Sequence, residues 1–576
     1  MSFKLANRNL ICKSLSELFF EEIINDALER DEQFYTLHLK NNLKYSFQAK
    51  ESIWGHLIID ESTLKRNDEK PLLASSFFKE TQFLTQMTDI TLANFLEELK
   101  QTIYSDTHFF NKSPSVSELA SKNSLEIESY LNGHPKLLLN KGRIGWNPTE
   151  MQQYSPEANS SFKLTRVAIK RDLITVSLSD TPLEKVAHCD LTEFEQKEIE
   201  RKILEKDLNP HDYLIIPVHP WQWENKIKTF FLKEIEMNEI LFLGEFGDLY
   251  KPHISLRTLS NQDNESQFDI KLPITILNTS CYRGISDKFV KTAVDLSDTF
   301  ETILESDDLF KELNTKALKD CGAFSYVGQD YEDIQDAPYR YREMLGGYWR
   351  QSTKSKLKEG QKAIMTGALS YVDQSGKSFL NHLIETSSLN IDQWLTQYFN
   401  HIVIPLYHLQ AKYGIGLVAH GQNTQIILEN NRPIGLIVKD FQGDLRLNTD
   451  MPEFIKALFN HECLKVVDHL PPHYIVHDLL TGHFVSVLRF LSACLLKECA
   501  YPEENFYSTL AHVIEQYEKT HLKQSLIPSL NEETIQKVLL NKVRFSIGYQ
   551  DQTLRPKPEL GSPMKNPLRA KRKKYV

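Results

Sequence analysis

Residues 271–283 read KLPITILNTSCYR, and this stretch determines the fold at the centre of the chain. Its apolar part predicts a buried β-strand, because branched and apolar side chains dominate it and no charge interrupts it. Lys271 stands before the strand, and Thr279, Ser280 and Arg283 follow it. Polar and cationic residues at the end of a buried strand commonly face a ligand cleft. A capping or turn role for the two hydroxyl residues is the alternative.

Further strand-like segments lie on the N-terminal side of this stretch. Short apolar or alternating runs bounded by turn residues are typical of strands. They occur at 34–39, 43–49, 55–59, 166–169, 173–178, 213–218, 240–243 and 272–277. A densely charged segment at 191–207 predicts a surface helix between them.

The C-terminal part has mostly helical spacing. A helix is predicted over 391–412 with a kink at Pro405, and most of 451–545 is predicted to be helical. A hairpin with strands at 425–428 and 433–438 separates the two regions. The sequence therefore predicts an α+β protein, and its 576 residues suggest about three or four domains.

Charge and cysteine usage exclude several classes of function. The net charge is −10 at pH 7, whereas nucleic-acid binding relies on a basic face. The seven cysteines are scattered without a C-x-x-C pair, which predicts free thiols in a reducing compartment and no cysteine-rich metal site. The first apolar stretch, 10–24, is interrupted by charges, and we expect no secretory signal and no membrane-spanning segment. A cytoplasmic protein without a membrane or nucleic-acid partner is therefore predicted.

A loop with glycines and spaced cations lies upstream, at 133–145. It contains His134, Lys141 and Arg143. Cations beside glycines suit phosphate oxygens, because the backbone approaches closely while the side chains neutralise charge. An ordinary basic loop is the alternative.

A second anion-binding candidate is the segment Ser255-Leu256-Arg257-Thr258. If it is a strand, Ser255 and Arg257 project to the same face and offer a hydroxyl beside a guanidinium. A solvent-facing edge strand is the alternative.

The third candidate combines His420-Gly421-Gln422-Asn423 with the end of the hairpin, Lys439-Asp440. The hairpin would fold Asp440 back towards the other four residues. A carboxylate and an amide oxygen are suitable hard ligands for Mg²⁺, which binds few protein groups together with phosphates.

Three other motifs are interpreted as chance matches. Gly376-Lys377-Ser378 lacks the first glycine of a phosphate-binding loop, and 414–419 fits G-x-G-x-x-A only in spelling, since it follows a helix. His469, His473 and His477 recur every four residues, but two prolines interrupt them and no other ligand completes a metal-site spacing. Surface or core histidines are the preferred interpretation.

Taken in order, the motifs resemble the siderophore synthetases that work without a nonribosomal peptide template, the IucA/IucC family. The matching segments are GHP…KGRIG at 133–145, YSPE at 154–157, IPVHPWQWE at 216–224, SLRTL at 255–259, KLPITILNTSCYRGIS at 271–286, HGQN at 420–423 and KDFQGDLR at 439–446. One such segment would mean little, but seven in order are strong evidence of kinship.

The resemblance implies a cupped architecture in three parts, with mainly antiparallel sheets and a helix-rich C-terminal palm. We expect a thumb at 1–160, strand-rich fingers on the phosphate side of ATP at 161–372, and a palm with the hairpin at 373–576. ATP and Mg²⁺ are implied as cosubstrate and cofactor, and a homodimer as the assembly.

The resemblance also implies roles for individual residues. His134, Lys141, Arg143, Ser255, Arg257, Thr258 and Lys271 would bind ATP. Thr279, Arg283, His420 and Gln422 would hold the carboxylic acid, with Arg283, His420 and Lys271 as the catalytic group. Asn423 and Asp440 would serve the metal.

The sequence departs from the family pattern in three places. Many members have a second His-Pro at 137–138, where this chain has two leucines, and a glutamate where Val418 stands here. Lys439 replaces a usual arginine and loses the planar fork that binds an oxyanion at two points. Metal coordination then depends more on Asp440 and Asn423.

The activity implied is ATP-dependent formation of an acyl-adenylate of citrate or a citrate derivative, followed by condensation with an amine or alcohol. The nucleophile would be a polyamine, an N-hydroxy amine or an amino acid, and 2-oxoglutarate is an alternative acid. Two other functions stay open on the sequence: a non-catalytic sensor of citrate or a ferric chelate, and a phosphotransferase, since the family's palm is distantly similar to kinases.

Overall fold

The computed structural model describes residues 2–109, 113–179, 181–279, 281–549 and 558–571. Ser280, one of the predicted ligand-cleft residues, lies outside them. The fold is α+β, and neighbouring strands are antiparallel except in two pairs, which confirms the predicted fold class.

The N-terminal region packs helices against a four-stranded antiparallel sheet of order β1-β2-β3-β4. Its strands are β1 (Leu28–Asp31), β2 (Phe34–His38), β3 (Lys44–Glu51) and β4 (Leu57–Arg66). Its helices are α1 (Phe3–Phe20), α2 (Ala74–Glu80), α3 (Gln82–Thr85), α4 (Asp89–Phe109), α5 (Val116–Ala120), α6 (Ser124–Glu128) and α7 (Pro148–Tyr154). Helix α1 covers much of the first apolar stretch, and its Ile11, Leu15 and Leu18 are fully buried.

The central region is built on an eight-stranded antiparallel sheet of order β6-β14-β15-β10-β9-β8-β5-β7. The strands of this sheet are β5 (Phe162–Lys170), β6 (Thr175–Leu178), β7 (Tyr213–Val218), β8 (Ile240–Pro252), β9 (Thr258–Asn261), β10 (Asp269–Lys271), β14 (Asp320–Tyr326) and β15 (Leu345–Arg350). The other strands of this region are β11 (Ile274–Asn278), β12 (Cys281–Arg283), β13 (Thr315–Ala317) and β16 (Gln361–Met365). The helices are α8 (Leu183–Ala187), α9 (Glu193–Leu204), α10 (Pro220–Gln222), α11 (Lys228–Phe230), α12 (Leu232–Glu236), α13 (Asp287–Val290), α14 (Ala293–Ser306), α15 (Asp308–Glu312), α16 (Gln329–Glu332) and α17 (Tyr339–Arg342).

The C-terminal region is helical around short sheets. Its strands are β17 (Ile415–Leu417), β18 (Thr424–Glu429), β19 (Arg432–Val438), β20 (Leu445–Asn448), β21 (Asp468–Leu470), β22 (Thr534–Leu539) and β23 (Glu559–Lys565). Its helices are α18 (Phe379–Thr386), α19 (Ile391–Tyr398), α20 (Ile404–Tyr413), α21 (Glu453–Lys456), α22 (His461–Val466), α23 (Pro472–Leu479), α24 (Arg489–Cys499), α25 (Glu503–His521) and α26 (Asn541–Ile547).

One sheet joins the central and C-terminal regions. Its order is β13-β19-β18-β16, so strands from both sides of the predicted 372/373 border pair with one another. A large apolar core likewise includes Phe20, Phe300, Trp394 and Leu568. The parts of the chain are thus fixed to one another by shared hydrogen bonds and shared core.

Two local predictions need correction. The segment Ser255–Arg257 is a turn and not a strand, because Leu256 has φ 71° and β9 begins only at Thr258. The helix at 391–412 is present, but in place of a simple kink it widens into a π-helix, Phe399–Val403, just before Pro405. Proline lacks the N–H that would continue the α-helical ladder, which explains a disruption at this place.

The longest apolar helical segment bears on the expectation of no membrane-spanning segment. Among the described residues, one continuous helical segment, Pro472–Cys499, is long and apolar enough to cross a membrane. It consists of α23, the π-helix Leu480–Leu488 and α24. In this fold 72% of its apolar window is buried inside the protein, as in the core helix of a globular protein.

Candidate active site

A buried ion network links the central sheet to the end of the C-terminal hairpin. Lys271, the last residue of β10, forms an ion pair with Asp440, which follows β19. Arg350, the last residue of β15, donates to the same oxygen of Asp440 at 2.9 Å and to Asp320 at 2.8 Å. Gln442 donates to the other oxygen of Asp320. Two sheet strands and the hairpin therefore meet at one charged centre.

Strand register explains which side chains surround this centre. Lys271 lies opposite Thr258 of β9 on one side and opposite Tyr348 of β15 on the other. Directly paired residues of antiparallel strands project to the same face of the sheet. Thr258 and Lys271 are therefore neighbours in the sheet. Their contact with phosphate stays a prediction.

The charges of this network shift the pKa of its members. Burial lowers the pKa of Lys271 to about 8, with Arg257 and Arg350 acting in the same direction and Asp440 against them. For Asp440, burial alone would raise the pKa, but Arg350 and Lys271 outweigh it and hold the pKa well below its usual range. At neutral pH the cations Lys271 and Arg350 are thus balanced by the carboxylates of Asp440 and Asp320. The charge of Arg257, which also acts on Lys271, is the additional positive charge available to an anionic ligand.

The turn before β9 carries Ser255 and Arg257. Arg257 donates to the carbonyl of Gly284, which connects this turn to the segment after β12. The Oγ of Ser255 is buried, with no hydrogen-bond partner in the described part of the chain. A hydroxyl in this state is available to a ligand, as predicted for a residue that binds phosphate.

A buried histidine holds this turn from behind. Both carboxylate oxygens of Glu128 lie 3.1 Å from Nδ1 of His253, and one of them accepts the N–H of Ile254 at 3.0 Å. The Nε2 of His253 lies 3.6 Å from Asp269. Glu128 lies at the end of α6, so the N-terminal region fixes the turn that carries the predicted phosphate-binding residues.

The hairpin of β11 and β12 carries the predicted acid-binding residues. Ile274 lies opposite Arg283, and the Arg283 guanidinium donates to the hydroxyl of Thr279. The Nε of Arg283 is buried, and no described residue accepts its hydrogen bond. The structure therefore brings Thr279 and Arg283 together as one polar group at the end of the hairpin.

The loop at 133–145 contacts the central region, but two of its cations form ion pairs with carboxylates elsewhere in the N-terminal region. Ile144 exchanges two backbone hydrogen bonds, of 3.0 and 3.1 Å, with Leu277 of β11. Lys141 pairs with Asp106 at 2.6 Å, and Arg143 makes a two-point contact with Glu157 at 2.7 and 2.9 Å. Lys141 and Arg143 are buried and fasten the loop through these pairs, and their role in ATP binding stays a prediction.

His134 of the same loop reaches the HGQN segment. Its ring centroid lies 6.2 Å from that of His420, with the rings nearly perpendicular. Burial lowers the pKa of His134 well below its ordinary value, and His420 adds to the effect. Burial also lowers the pKa of His420, although Asp444 and Asp440 oppose the shift. Both imidazoles are therefore neutral at physiological pH.

The HGQN segment is folded onto the hairpin. Asn423 donates to Asp444 at 2.9 Å, and its carbonyl accepts the N–H of Lys439 at 3.2 Å. The N–H of Gln422 donates to Nδ1 of His420 at 3.3 Å, which makes Nε2 the protonated nitrogen of the neutral ring. His420 can therefore donate a hydrogen bond to an oxyanion through Nε2.

Three turns at this site contain a non-glycine residue in the left-handed region. Leu256 has φ 71°, Thr279 has φ 51° and Asp440 has φ 68°. Such conformations cost about 1–3 kcal/mol each and persist only where the surroundings enforce them. They concentrate at functional sites, and here each falls in one of the separate motifs.

A family model described as the IucA / IucC family matches residues 123–371. The aerobactin synthase of Vibrio mimicus is 34% identical over 98% of this chain and 96% of its own length. The chain belongs to the IucA/IucC family. A second model, described as a ferric iron reductase FhuF-like transporter, matches residues 392–553 of this family member.

Two further comparisons agree with this assignment. The structure of aerobactin synthetase IucC from Klebsiella pneumoniae is 31% identical, with a TM-score of 0.88 and 98% of each chain covered. The citryl-spermidine/3,4-dihydroxybenzoyl-citryl-spermidine:spermidine ligase of Bacillus anthracis is 27% identical over 90% of this chain and 87% of its own length. The family's fold therefore extends over the whole IucA/IucC chain described here.

The donor set near the hairpin fits Mg²⁺. Asn423 donates through its nitrogen, so its amide oxygen is the atom that could bind a cation, and Asp444 lies beside it. The contacts of Lys271 and Arg350 are both made to Oδ1 of Asp440, so Oδ2 is the oxygen that a cation would take. No group of three His, Cys, Asp or Glu able to hold a metal occurs in the described ranges. Carboxylate and amide oxygens are donors that Mg²⁺ takes together with phosphates, so these residues could hold it.

Sequence reasoning missed Arg350, Asp320 and Asp444. Arg350 ends the apolar strand β15, which is the same pattern that identified the 271–283 stretch. Asp444 lies inside the quoted KDFQGDLR motif, and only the fold shows its contact with Asn423. Asp320 begins β14 without any distinctive local pattern.

Proposed function

We propose that this protein is an ATP-dependent ligase of siderophore assembly. It activates a carboxylate of citrate, or of a citrate derivative, as the acyl-adenylate and joins it to an amine or alcohol. The observation that carries the proposal is the buried centre of Lys271, Arg350 and Asp440, to which the turn of Arg257 is adjacent. Family membership supports the same conclusion, since the similar proteins are named synthases and ligases.

The chemistry requires two anions to approach each other. A carboxylate oxygen attacks the α-phosphorus of ATP, the bond to the β-phosphate bridge oxygen breaks, and pyrophosphate leaves. Lys271, Arg257 and the hydroxyls of Ser255 and Thr258 would hold the phosphates. Their positive charge lowers the repulsion between the anions and aligns them, so no covalent enzyme nucleophile is needed.

The acid would be held on the other side of the centre. Arg283 and Thr279 would bind its carboxylates, together with Gln422 and His420. Because Nδ1 of His420 accepts a hydrogen bond, its Nε2–H would donate to an acid oxygen. Asn423, Asp440 and Asp444 would hold Mg²⁺, which supplies charge neutralisation of the phosphates when bound.

In the second half-reaction the nucleophile attacks the acyl carbon. A C–N or C–O bond forms, the bond to the AMP oxygen breaks, and the nucleophile loses a proton to a base or to water. An amine is favoured as nucleophile, because the Bacillus anthracis relative is named for ligation to spermidine. The same name contains citryl groups, which favours citrate or a citrate monoamide as the acid. A cytoplasmic homodimer is part of the same proposal.

The deciding experiment identifies the products of ATP. The protein is incubated with ATP, Mg²⁺ and citrate, with and without a panel of diamines, N-hydroxy amines and amino acids, and the conjugates are identified by mass spectrometry. AMP and pyrophosphate are expected, with a conjugate only when a suitable nucleophile is present. ADP would indicate a phosphotransferase, and binding of citrate without any turnover would indicate a sensor.

A further inference from the structure

The carbonyl of Ala419, immediately before His420, is held by a side chain deep in the core. Nδ1 of His483 lies 3.0 Å from this carbonyl oxygen, and Nε2 of His483 lies 3.0 Å from the hydroxyl of Tyr398. His483 and Tyr398 are both fully buried. A carbonyl can only accept, so Nδ1 carries the proton, and Nε2 accepts from the tyrosine hydroxyl. The three groups form one continuous chain of hydrogen bonds.

All three groups of this hydrogen-bonded series are uncharged. Burial lowers the pKa of His483 to about 4, although the hydrogen bond to Ala419 opposes the shift. Burial raises the pKa of Tyr398 above its ordinary value. A neutral, fully satisfied chain has one tautomer and one orientation, which makes it a rigid support.

The backbone of the long core helix fits against the same peptide. Gly482 lies so close that a Cβ there would be 3.0 Å from the Ala419 nitrogen and 3.6 Å from the His420 nitrogen. The Ala419 N–H donates to the carbonyl of Asp478 at 3.3 Å. Both polar groups of the Ala419 backbone are therefore bound by this one helical segment.

Both side chains of this hydrogen-bonded series, His483 and Tyr398, lie in or beside an irregular helical turn. His483 lies inside the π-helix Leu480–Leu488, and Tyr398 caps the π-helix Phe399–Val403. π-Helical turns are rare and are frequent at functional sites, because their wider turn redirects side chains. Here Gly482 and His483 of the π-helix, together with Asp478 of the preceding α-helical turn, lie against the same peptide.

We propose that Tyr398 and His483 are positioning residues that set the orientation of His420 in the acid-binding site. They touch no substrate, and they act by fixing the Ala419–His420 peptide from the core side. The inference rests on the proposed function for its kinetic effect, but the effect on the HGQN segment itself is independent of any activity.

The test combines hydrogen exchange with kinetics in the full-length protein. His483→Leu removes both hydrogen bonds, His483→Gln keeps a donor for the Ala419 carbonyl, and Tyr398→Phe removes only the outer hydroxyl. Amide exchange is followed by mass spectrometry in peptides that cover residues 415–425. The increase in exchange over the wild type in these peptides is expected to be smallest in Tyr398→Phe, larger in His483→Gln and largest in His483→Leu.

The kinetic expectation is specific to the acid. Since a misplacement of about 1 Å can cost about 10²-fold in rate, His483→Leu should lower kcat/KM for the acid by about tenfold to 10²-fold. The KM for ATP should change by less than about twofold, because uniform binding of ATP is not altered. His483→Gln should recover most of the loss.

His408→Gln is the matched control. His408 is also a buried histidine of the C-terminal core hydrogen-bonded to a tyrosine hydroxyl, that of Tyr517 at 2.7 Å, and it pairs with Asp307 at 3.0 Å. This variant should be destabilised, and exchange in 415–425 should rise no more than in the rest of the protein. If His483→Leu leaves exchange in this segment at the wild-type level, or changes it only in parallel with the whole protein as in the control, the inference is wrong. Absence of AMP formation by the wild type would refute the proposed function and leave the exchange test standing.

Discussion

Lys271 and Asp440 form a buried ion pair although 169 residues of chain separate them. The pair joins the last residue of β10 to the turn after β19, and Arg350 binds the same carboxylate oxygen. Three elements distant in sequence therefore depend on one another for charge balance. An anion that competes with Asp440 for these cations would be attracted to this centre, as the proposed function requires.

The pKa of Lys271 predicts a pH dependence of ATP binding. Because burial lowers this pKa to about 8, the ammonium is charged below pH 8 and loses its proton as the pH rises through that value. We expect kcat/KM for ATP to fall above about pH 8 in the wild type. In Lys271→Arg the guanidinium stays charged, so the fall should disappear. Initial rates of pyrophosphate release between pH 6.5 and 9.5 would measure both profiles, and an unchanged fall in the variant would exclude Lys271 as its cause.

Arg350 is predicted to be necessary for both stability and activity. Arg350→Ala leaves Asp320 and Asp440 as buried carboxylates without their shared cation, and breaking a buried pair in this way costs about 3–5 kcal/mol. Arg350→Lys keeps one charge but cannot reach both carboxylates with a planar fork, so an intermediate effect is expected. Thermal unfolding and pyrophosphate release would be measured together.

Arg432→Lys is a suitable control for these arginine substitutions. The guanidinium of Arg432 donates to the carbonyl of Ser387, at an exposed position of β19. It should unfold and react like the wild type. Equal stability of Arg350→Ala and the wild type would contradict the bridging role of Arg350.

The sequence indicates the polar residues at the ends of buried strands more readily than the residues that those side chains contact. Lys271, Arg283 and Asp440 were found because each follows or precedes an apolar run, which is a local pattern. Arg350 has the same pattern, but its relevance depends on β15 lying beside β10, and strand order is set by long-range packing.

The wrong strand at 255–257 has a similar cause. Its residue types are compatible with an extended segment, yet Leu256 adopts a left-handed conformation. The turn is enforced by contacts of His253 and Ile254 with Glu128, more than a hundred positions away in the sequence. No window of local sequence contains that information, so the conformation of this segment could not be predicted, and the role of its residues in binding phosphate stays a prediction.

Arg283→Ala and His420→Ala are expected to abolish adenylate formation while the fold is retained. Arg283 contacts Thr279 within its own hairpin. The His420 ring accepts the N–H of Gln422 and makes an edge contact with the ring of His134, so its loss should cost one ring contact and leave the fold intact. The measurement is hydroxamate formation from citrate and ATP in hydroxylamine, with circular dichroism as the check on folding. Hydroxamate formation at the wild-type rate by either variant would refute its place in the site.

The Glu128–His253 pair predicts a pH window of stability. Burial alone would lower the pKa of His253, but Glu128 and Asp269 outweigh it and raise the pKa from 6.5 to about 9. Burial alone would raise the pKa of Glu128, but His253 outweighs it and lowers the pKa from 4.5 to about 2. Because its pKa is raised in the folded protein, His253 contributes its full stabilisation below pH 6.5 and loses it as the pH rises through 9. Because its pKa is lowered, Glu128 contributes its full stabilisation above pH 4.5 and loses it as the pH falls through 2.

Glu128→Gln should therefore lower the Tm most between pH 4.5 and 6.5, where both charges are present in the wild type. The difference from the wild type should shrink as the pH is raised past 9, because His253 then loses its charge in both proteins. Glu29→Gln, which removes an exposed carboxylate paired with His38, is the matched control and should change the Tm little at any pH. Thermal unfolding by differential scanning fluorimetry at pH 5.5, 7.5 and 9.5 measures these differences. A Glu128→Gln deficit that is the same at pH 5.5 and 9.5 would show that the loss comes from packing and not from the ion pair.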